Sequence, residues 1–228
     1  MTPLVLIPGY MLDETLWDEV LPLLEADCPF IHGCLREGGT VEEIARHILA
    51  ACPPCFALAG FSMGGYIARE MARLAPQRVQ SLILIATSAR PDSQATREQR
   101  AKAALATPPG PFRGLSKGAI ATSLHPDLAG NAELIARVRA MGERLGRKVF
   151  LRQSLLERGD LDRLGEIACP TLVIAAAQDQ LRSPEHAVEL RDGIPGAVLE
   201  VVQDSGHLIP LEQPAALAAL MRRLIARL

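Results

Sequence analysis

A serine stands at the centre of the pentapeptide Gly60-Phe61-Ser62-Met63-Gly64, which follows an apolar run and precedes a helical pattern. Small residues two positions before and after a serine allow a strand to turn sharply into a helix, so that the hydroxyl points out at the edge of a sheet. The N-terminus of that helix presents N–H groups to a developing negative charge. This context predicts that Ser62 is a nucleophile, although a serine between glycines is also common in ordinary turns.

A serine nucleophile needs a neighbouring base, because its hydroxyl reacts poorly at neutral pH. Of the five histidines, His207 follows the last predicted strand and a glycine, in a loop from which its side chain can reach the sheet edge. His32, at the end of an early strand, is the main alternative, whereas His47 and His186 fall within predicted helices. We therefore expect His207 to be the general base.

The base in turn needs a carboxylate that orients its ring. Asp179 follows an apolar run, and one helix and one strand separate it from His207. Asp204 and Asp92 also follow predicted strands and stay open as alternatives. With Asp179 as the acid, all three groups stand at the carboxyl ends of strands, the edge at which sites form in open parallel sheets.

Hydrolysis through a serine also needs two N–H groups that stabilise the oxyanion. The N–H of Met63, the residue after the nucleophile, is the first candidate. The second is the N–H of Tyr10, in the turn Pro8-Gly9-Tyr10 that follows the first apolar run. A simple Pro-Gly turn is the alternative interpretation of that segment.

Strands and helices that alternate along the chain must position these residues. Continuous apolar runs of strand length are typical of parallel strands covered on both faces. They lie at 3–7, 29–31, 56–61, 81–86, 171–177 and 198–202. Patterns of helical period lie at 13–24, 40–51, 65–74, 183–191 and 214–228. The alternation predicts an α/β fold with a mostly parallel sheet of about six strands and helices on both faces.

The segment 88–168 interrupts this alternation, because no convincing strand occurs in it. It indicates several short helices with breaks at 108–111, at Pro126 and at 130–131. We expect a helical insertion before the penultimate strand, with residues 1–87 and 169–228 forming the core. Its frequent arginines indicate either an anionic substrate or a solvated helix face, and they include Arg113, Arg137, Arg139 and Arg144.

Together these motifs resemble the α/β-hydrolase family over nearly the whole chain, in particular its small esterase and lipase-like branch with a helical cap. The resemblance rests on Pro8-Gly9-Tyr10, the turn around Ser62, Asp179 and Gly206-His207. It implies that the serine attacks a small carboxylic ester and forms an acyl-enzyme that water then cleaves. It also implies that residues 88–168 are the cap that shapes the substrate pocket.

Three further residues are expected to contact the substrate. Trp17 follows the oxyanion turn, while His125 and Arg113 lie in the segment predicted to be the cap. On the same triad, a carbon–carbon hydrolase or a lyase of the type that makes a menaquinone precursor is an alternative activity. A non-catalytic small-ligand receptor is the alternative from another class of protein.

The chain departs from the family pattern at two points. Many members have His-Gly where this chain has Pro8-Gly9, so the loop must pack differently. The sequence also starts directly at the strand before this loop, without the antiparallel hairpin that usually precedes it. We therefore expect a reduced sheet with an exposed edge, which favours pairing in a homodimer.

Composition narrows the classes of partner. The 228 residues are 49% hydrophobic and 22% charged, with a formal net charge of -2, which predicts one domain with a sizeable core. No basic cluster and no run of membrane-spanning length stand out, so we expect a small-molecule substrate rather than nucleic acid or a membrane. The N-terminal apolar run is too short for a signal peptide, which favours a cytoplasmic location.

The five cysteines are an odd number, which argues against a disulfide framework. Cys52 and Cys55 match C-x-x-C, but they precede a strand instead of opening a helix. We expect plain thiols there, with a redox pair as the alternative. No pair of further ligands at zinc spacing is visible, so we expect neither a metal nor an organic cofactor.

Overall fold

The computed structural model describes residues 2–24, 29–108, 110–158 and 163–225. Its strands are β1 (Leu4–Ile7), β2 (Phe30–His32), β3 (Phe56–Phe61), β4 (Val79–Ile85), β5 (Thr171–Ala176) and β6 (Val198–Val202). Its helices are α1 (Val41–Ala51), α2 (Met63–Leu74), α3 (Gln94–Leu105), α4 (Lys117–Ser123), α5 (Ala132–Leu155), α6 (Pro184–Gly193), α7 (Ile209–Glu212) and α8 (Pro214–Ile225). The alternation of strands and helices agrees with the predicted α/β class.

The six strands form one sheet in the order β2-β1-β3-β4-β5-β6, and every neighbouring pair is parallel. The chain runs outward from β1 to β2 and then returns to place β3 on the other side of β1. The order therefore reverses between β1 and β3, and a crevice opens at such a point beyond the carboxyl ends of the strands. The loop after β1 and the turn after β3 both start at this edge of the sheet.

Each strand contributes alternate residues to two hydrophobic clusters, one on each face of the sheet. Leu4 and Leu6 lie in the cluster covered by α8 and by helices between β4 and β5, whereas Val5 and Ile7 lie in the cluster covered by α1, α2 and α6. Successive side chains of a strand point to opposite faces. Burial on both faces explains why the strands are continuous apolar runs.

Residues 13–24, predicted as one helix, form two 3-10 turns instead, at Glu14–Trp17 and Leu21–Leu23. Pro22 in the second turn has no N–H to donate, and its ring would clash with the carbonyl four residues earlier in an α-helix. The helix predicted at 214–228 is described to Ile225, and its last three residues lie outside the described residues.

The inserted segment, residues 88–168, is helical wherever it has regular structure in its described parts. It contains α3, α4, a 3-10 turn at Pro126–Leu128, α5 and a 3-10 turn at Leu164–Glu166. Helix α5 is bent at Gly146, whose φ of 75° lies in the left-handed region. None of the helices in the described ranges is long and apolar enough to span a membrane.

Candidate active site

Ser62 occupies a strained turn between the last residue of β3 and the first residue of α2. Its φ of 50° and ψ of -112° are unusual for any residue other than glycine. Two hydrogen bonds join this backbone to β4 and the residues after it: the Ser62 N–H donates to the Ile85 carbonyl at 2.8 Å, and the Thr87 hydroxyl donates to the Ser62 carbonyl at 2.7 Å. The turn is therefore determined by β4 as well as by its own sequence.

Two glycines allow the strand, the helix and the neighbouring loop to approach one another. A Cβ on Gly60 would lie 2.5 Å from the Gly64 carbonyl oxygen, and one on Gly64 would lie 2.4 Å from the Pro8 carbonyl oxygen. Real Cβ atoms do not come so close to backbone atoms. The spacing of glycines around the serine is thus a packing requirement of this turn.

The structure brings Ser62, His207 and Asp179 into one hydrogen-bonded chain. The distance from His207 Nε2 to Ser62 Oγ is 2.8 Å, and that from His207 Nδ1 to Asp179 Oδ2 is 2.7 Å. With the ring proton on Nδ1, the imidazole donates to the carboxylate and accepts from the hydroxyl. All three side chains are buried or nearly so. This arrangement suits transfer of the hydroxyl proton to the ring.

Asp179 is held by its own loop. Its Oδ1 accepts hydrogen bonds from the N–H groups of Leu181 at 2.7 Å and Arg182 at 2.9 Å, which leaves Oδ2 for His207. Of the two alternative acids, Asp92 pairs with Arg100, with 2.6 Å between Oδ2 and Nη1.

Glu212 is a residue of this site that sequence reasoning missed. Its Oε2 accepts from the N–H groups of Gly206 at 3.1 Å and His125 at 2.6 Å, and its Oε1 accepts from the Leu208 N–H at 3.0 Å. The Glu212 carboxylate therefore stabilises the loop that carries His207 through these hydrogen bonds. A glutamate in the first turn of a short helix often reaches back to N–H groups before the helix, and this was the available signal.

The two predicted oxyanion donors lie in different loops. The Met63 N–H is at the start of α2, and the Tyr10 N–H lies in the loop after β1. Among the described residues neither N–H donates to another group, so both are available. The loop after β1 is fixed from α5, because Gln153 Oε1 accepts from the Met11 N–H at 2.8 Å and the Tyr10 hydroxyl contacts Ser154 Oγ at 2.6 Å.

A cavity of about 450 Å³ opens over Ser62 and His207. One part of its wall is apolar and includes Leu12, Leu115, Ala119, Val138 and Leu208. Another part is polar and includes Asp92, Thr96, Arg100, Arg158 and Arg182. Much of this wall comes from the inserted segment, which thereby forms one side of the cavity.

The three residues expected to contact a substrate do not line this cavity. The Trp17 side chain is fully buried in the hydrophobic cluster beneath α8, because its 3-10 turn faces inward. His125 packs its backbone against Gly206 and accepts from the Asp127 N–H with Nδ1. The Arg113 carbonyl accepts a hydrogen bond from Arg139.

The arginines named from the sequence also have other contacts. Arg137 pairs with Glu19, and Arg144 pairs with Asp13 at 2.7 Å. The arginines that do line the cavity are Arg100, Arg158 and Arg182, and no sequence signal distinguished them. The reason is that they converge from separate loops and helices.

Cys52 and Cys55 stand apart from this site. Cys52 is half-buried at the C-terminal end of α1, and Cys55 is exposed. Burial raises the pKa of the Cys52 thiol, and the positive charge of Arg78 offsets only part of that effect. A raised pKa disfavours the thiolate needed for redox chemistry. Within the described ranges, no group of three or more His, Cys, Asp or Glu side chains is arranged to hold a metal ion.

Comparison with known proteins gives matches to curated relatives, to solved structures and to a family model. The chain is 33% identical over 93 residues to pimeloyl-[acyl-carrier protein] methyl ester esterase of Klebsiella pneumoniae (strain 342), a stretch that covers 37% of this chain and 36% of that relative. It is 25% identical over 242 residues to the enzyme of the same name from Photobacterium profundum, covering 92% of this chain and 89% of that relative.

Among solved structures, a thermophilic esterase from Thermogutta terrifontis matches with a TM-score of 0.82 and 27% identity, covering 100% of this chain and 90% of that protein. The family model described as "Alpha/beta hydrolase family" matches residues 4–220. That span includes the whole sheet, the serine turn and the loops of Asp179 and His207. The chain therefore belongs to the alpha/beta hydrolase family.

Proposed function

We propose that this protein hydrolyses small carboxylic esters through an acyl-enzyme formed on Ser62. The observation that carries the proposal is the continuous chain of hydrogen bonds from Ser62 through His207 to Asp179. Family membership and the esterase relatives support the choice of ester over other acyl compounds. The cavity volume of about 450 Å³ supports a small substrate.

In the first half of the proposed reaction, His207 Nε2 accepts the Ser62 proton while Oγ attacks the carbonyl carbon of the ester. The N–H groups of Tyr10 and Met63 donate to the carbonyl oxygen as it becomes negative. Asp179 keeps the second ring nitrogen protonated and stabilises the imidazolium. The ring then gives its proton to the leaving alcohol, and the acyl group remains on the serine.

In the second half, water attacks the acyl carbon and gives a proton to His207 Nε2. The same two N–H groups stabilise the second oxyanion. Its collapse breaks the bond to Ser62 Oγ, which takes the proton back from the ring, and the carboxylic acid leaves. The inserted segment, acting as a cap, lines the cavity in which both steps occur and limits the size of the acyl or alcohol group.

The test combines a series of p-nitrophenyl esters with a fluorophosphonate probe. Ser62→Ala and His207→Ala should each lower kcat/KM by roughly a thousandfold or more, and Ser62→Ala should abolish labelling, because the nucleophile and its base act as one unit. His47→Ala is the matched control, since His47 is exposed on α1. Circular dichroism verifies that each variant is folded.

Three outcomes would contradict the proposal. Ester turnover that persists in Ser62→Ala would require another nucleophile. Ligand-dependent stabilisation of a folded protein without any turnover would favour the receptor alternative. Cys52→Ser should leave turnover unchanged, and a loss there would support the redox alternative.

A further inference from the structure

The polar wall of the cavity carries more positive than negative charge. Among the residues that the structure describes, Arg100, Arg158 and Arg182 line it together with one carboxylate, Asp92. The cavity is otherwise lined largely by apolar side chains, which strengthen electrostatic interactions by excluding water. A guanidinium is available to a ligand only if its N–H groups are not already bound to the protein.

Each nitrogen of the Arg100 guanidinium donates a hydrogen bond to the protein. Its Nη1 donates to Asp92 Oδ2 at 2.6 Å, its Nε donates to the Ser154 carbonyl at 2.7 Å, and its Nη2 donates to the Leu156 carbonyl at 3.1 Å. This pair is nearly neutral and ties α3 to the end of α5. Arg100 therefore holds the hydrogen bond to Asp92, the one carboxylate among the described residues of the wall, and has a structural role.

Arg158, by contrast, is buried, and among the described residues its charged partner is Asp92, at ion-pair distance only. Its side chain is only 7% exposed, and its Nε forms an ion pair with Asp92 Oδ2 at 3.7 Å, a distance too long for a hydrogen bond. It donates no hydrogen bond to any residue that the structure describes, and its Nε is enclosed. The guanidinium carbon lies 5.9 Å from the centre of the Tyr10 ring and 6.0 Å from that of Tyr66, so aromatic rings hold it in position.

Burial lowers the pKa of Arg158 to about 10, with Asp92 acting in the opposite direction. The guanidinium is therefore charged at neutral pH. A buried charge with unused donors is costly unless a partner is supplied. A cavity that opens onto such a group is a place where an anion would gain hydrogen bonds.

Arg182 lines the same cavity from a different element. Its backbone N–H donates to the Asp179 carboxylate, so its position is coupled to the acid of the triad. Its side-chain Nε is enclosed and donates to none of the described residues. Arg158, near the end of the inserted segment, and Arg182, in the loop after β5, thus both line the cavity of Ser62, and neither guanidinium donates a hydrogen bond to the described residues.

We propose that the preferred ester carries a free carboxylate, which binds Arg158 and Arg182 while Ser62 attacks the ester carbonyl. This inference rests on the proposed function of Ser62. The apolar wall formed by Leu115, Ala119, Val138 and Leu208 suits a short methylene chain between the two groups. The substrate class is therefore a half-ester of a dicarboxylic acid or an ester of a hydroxy acid, both of which join one ester to one carboxylate.

The experiment compares charged esters with their neutral amides. Methyl hydrogen adipate and its monoamide place the charge on the acyl side, and γ-acetoxybutyrate and its amide place it on the alcohol side. The wild-type protein should favour the charged member of one pair by about tenfold to a hundredfold in kcat/KM, as expected for a buried polar site that rejects an unmatched group. Whichever pair gives this preference identifies the side that carries the charge.

Arg158→Gln and Arg182→Gln should each bring the ratio of charged to neutral kcat/KM close to one. Arg137→Gln, which alters an arginine outside the cavity, should keep the wild-type ratio. If Arg158→Gln does not fold, competition in the wild-type protein replaces it. Adipate should then inhibit hydrolysis of a neutral ester competitively, whereas adipamide at equal concentration should not.

A wild-type ratio near one for both pairs would overturn the inference. So would an Arg158→Gln variant that lowers turnover of both members equally, because a purely structural arginine would have that effect. A failure of the proposed function itself would give a different experimental result. In that case no ester is hydrolysed, charged or neutral, or hydrolysis survives Ser62→Ala.

Discussion

Ser62 has a backbone conformation that it would not adopt without its surroundings. A φ of 50° with a side chain present costs free energy, and such strain persists only where neighbouring groups determine it. Here the Ile85 carbonyl and the Thr87 hydroxyl bind the two sides of the residue. Gly60 and Gly64 remove the side chains that would push the helix away from the strand. At the scale of single residues, the orientation of the hydroxyl depends on groups that never contact it.

Gly64→Ala tests this dependence. The added Cβ would lie 2.4 Å from the Pro8 carbonyl oxygen and 2.5 Å from that of Ile7, and neither backbone atom can move freely. We expect a loss of more than about 2 kcal/mol in the free energy of unfolding, together with a large loss of esterase activity. Urea unfolding followed by circular dichroism measures the first quantity.

The matched control is Gly118→Ala in α4, where a Cβ meets nothing within 4 Å. That substitution should be neutral or slightly stabilising, because alanine favours helix more than glycine does. Equal stability of the two variants would contradict the packing argument.

At the scale of elements, α5 positions the loop after β1. Gln153 near its C-terminal end accepts from the Met11 N–H, and Arg144 donates to Asp13 through Nε at 2.7 Å and Nη2 at 3.1 Å. The loop that carries the Tyr10 N–H is therefore held by a helix of the inserted segment. This explains how a helix far along the chain can influence the position of Tyr10, whose N–H is the proposed oxyanion donor.

Asp13→Asn should weaken this connection in a pH-dependent manner. Burial of Asp13 favours its neutral form, but hydrogen bonds from Arg144 and Thr15 outweigh burial and lower its pKa below the ordinary 3.8. A lowered pKa in the folded state stabilises the protein above the ordinary value, and this stabilisation is lost as pH falls through the folded-state pKa.

At neutral pH we expect Asp13→Asn to cost about 1 kcal/mol, a modest value because the Arg144 side chain is 48% exposed. The difference from wild type should shrink below the ordinary aspartate pKa and vanish below the folded-state one. Urea unfolding of both proteins over a pH series measures this difference in the free energy of unfolding. The neighbouring exposed Asp18→Asn is the control, and a loss for Asp13→Asn that does not change with pH would contradict the ion-pair explanation.

At the scale of the whole molecule, the inserted segment shares a hydrophobic cluster with the sheet. Val138 and Met141 of α5 and Ile120 of α4 belong to the same cluster as Leu4 and Leu6 of β1. The sole tryptophan of the chain, Trp17, is fully buried in this cluster. Shared burial predicts that the segment and the sheet unfold together.

Met141→Ala should therefore lower the stability of the whole protein by about 2–4 kcal/mol, as other truncations of buried methionines do. Far-UV circular dichroism and Trp17 fluorescence should report coincident transitions in the wild type and in the variant. Leu105→Ala is the control, because the Leu105 side chain is 66% exposed. An early transition seen only by circular dichroism would indicate that the inserted segment unfolds by itself.

Much of the fold can be predicted from the local pattern of apolar and polar residues in the sequence. Strands buried on both faces are continuous apolar runs, and parallel strands bring their carboxyl ends to one edge. Ser62, Asp179 and His207 could therefore be selected as neighbours before any distance was known. Trp17 was expected to contact the substrate because it follows the oxyanion turn, and local pattern did not reveal that its 3-10 turn directs the indole into the core.

The sequence alone determined the sheet, the serine turn and the order of the three residues of the predicted triad, since each depends on residue type at short spacing or on the rules of parallel sheets. Only the tertiary structure decided which charges face the cavity. Arg158 and Arg182 come from elements that meet through packing, and Arg100 is neutralised by Asp92 across a helix end. Such contacts depend on long-range geometry, for which a single sequence carries no periodic signal.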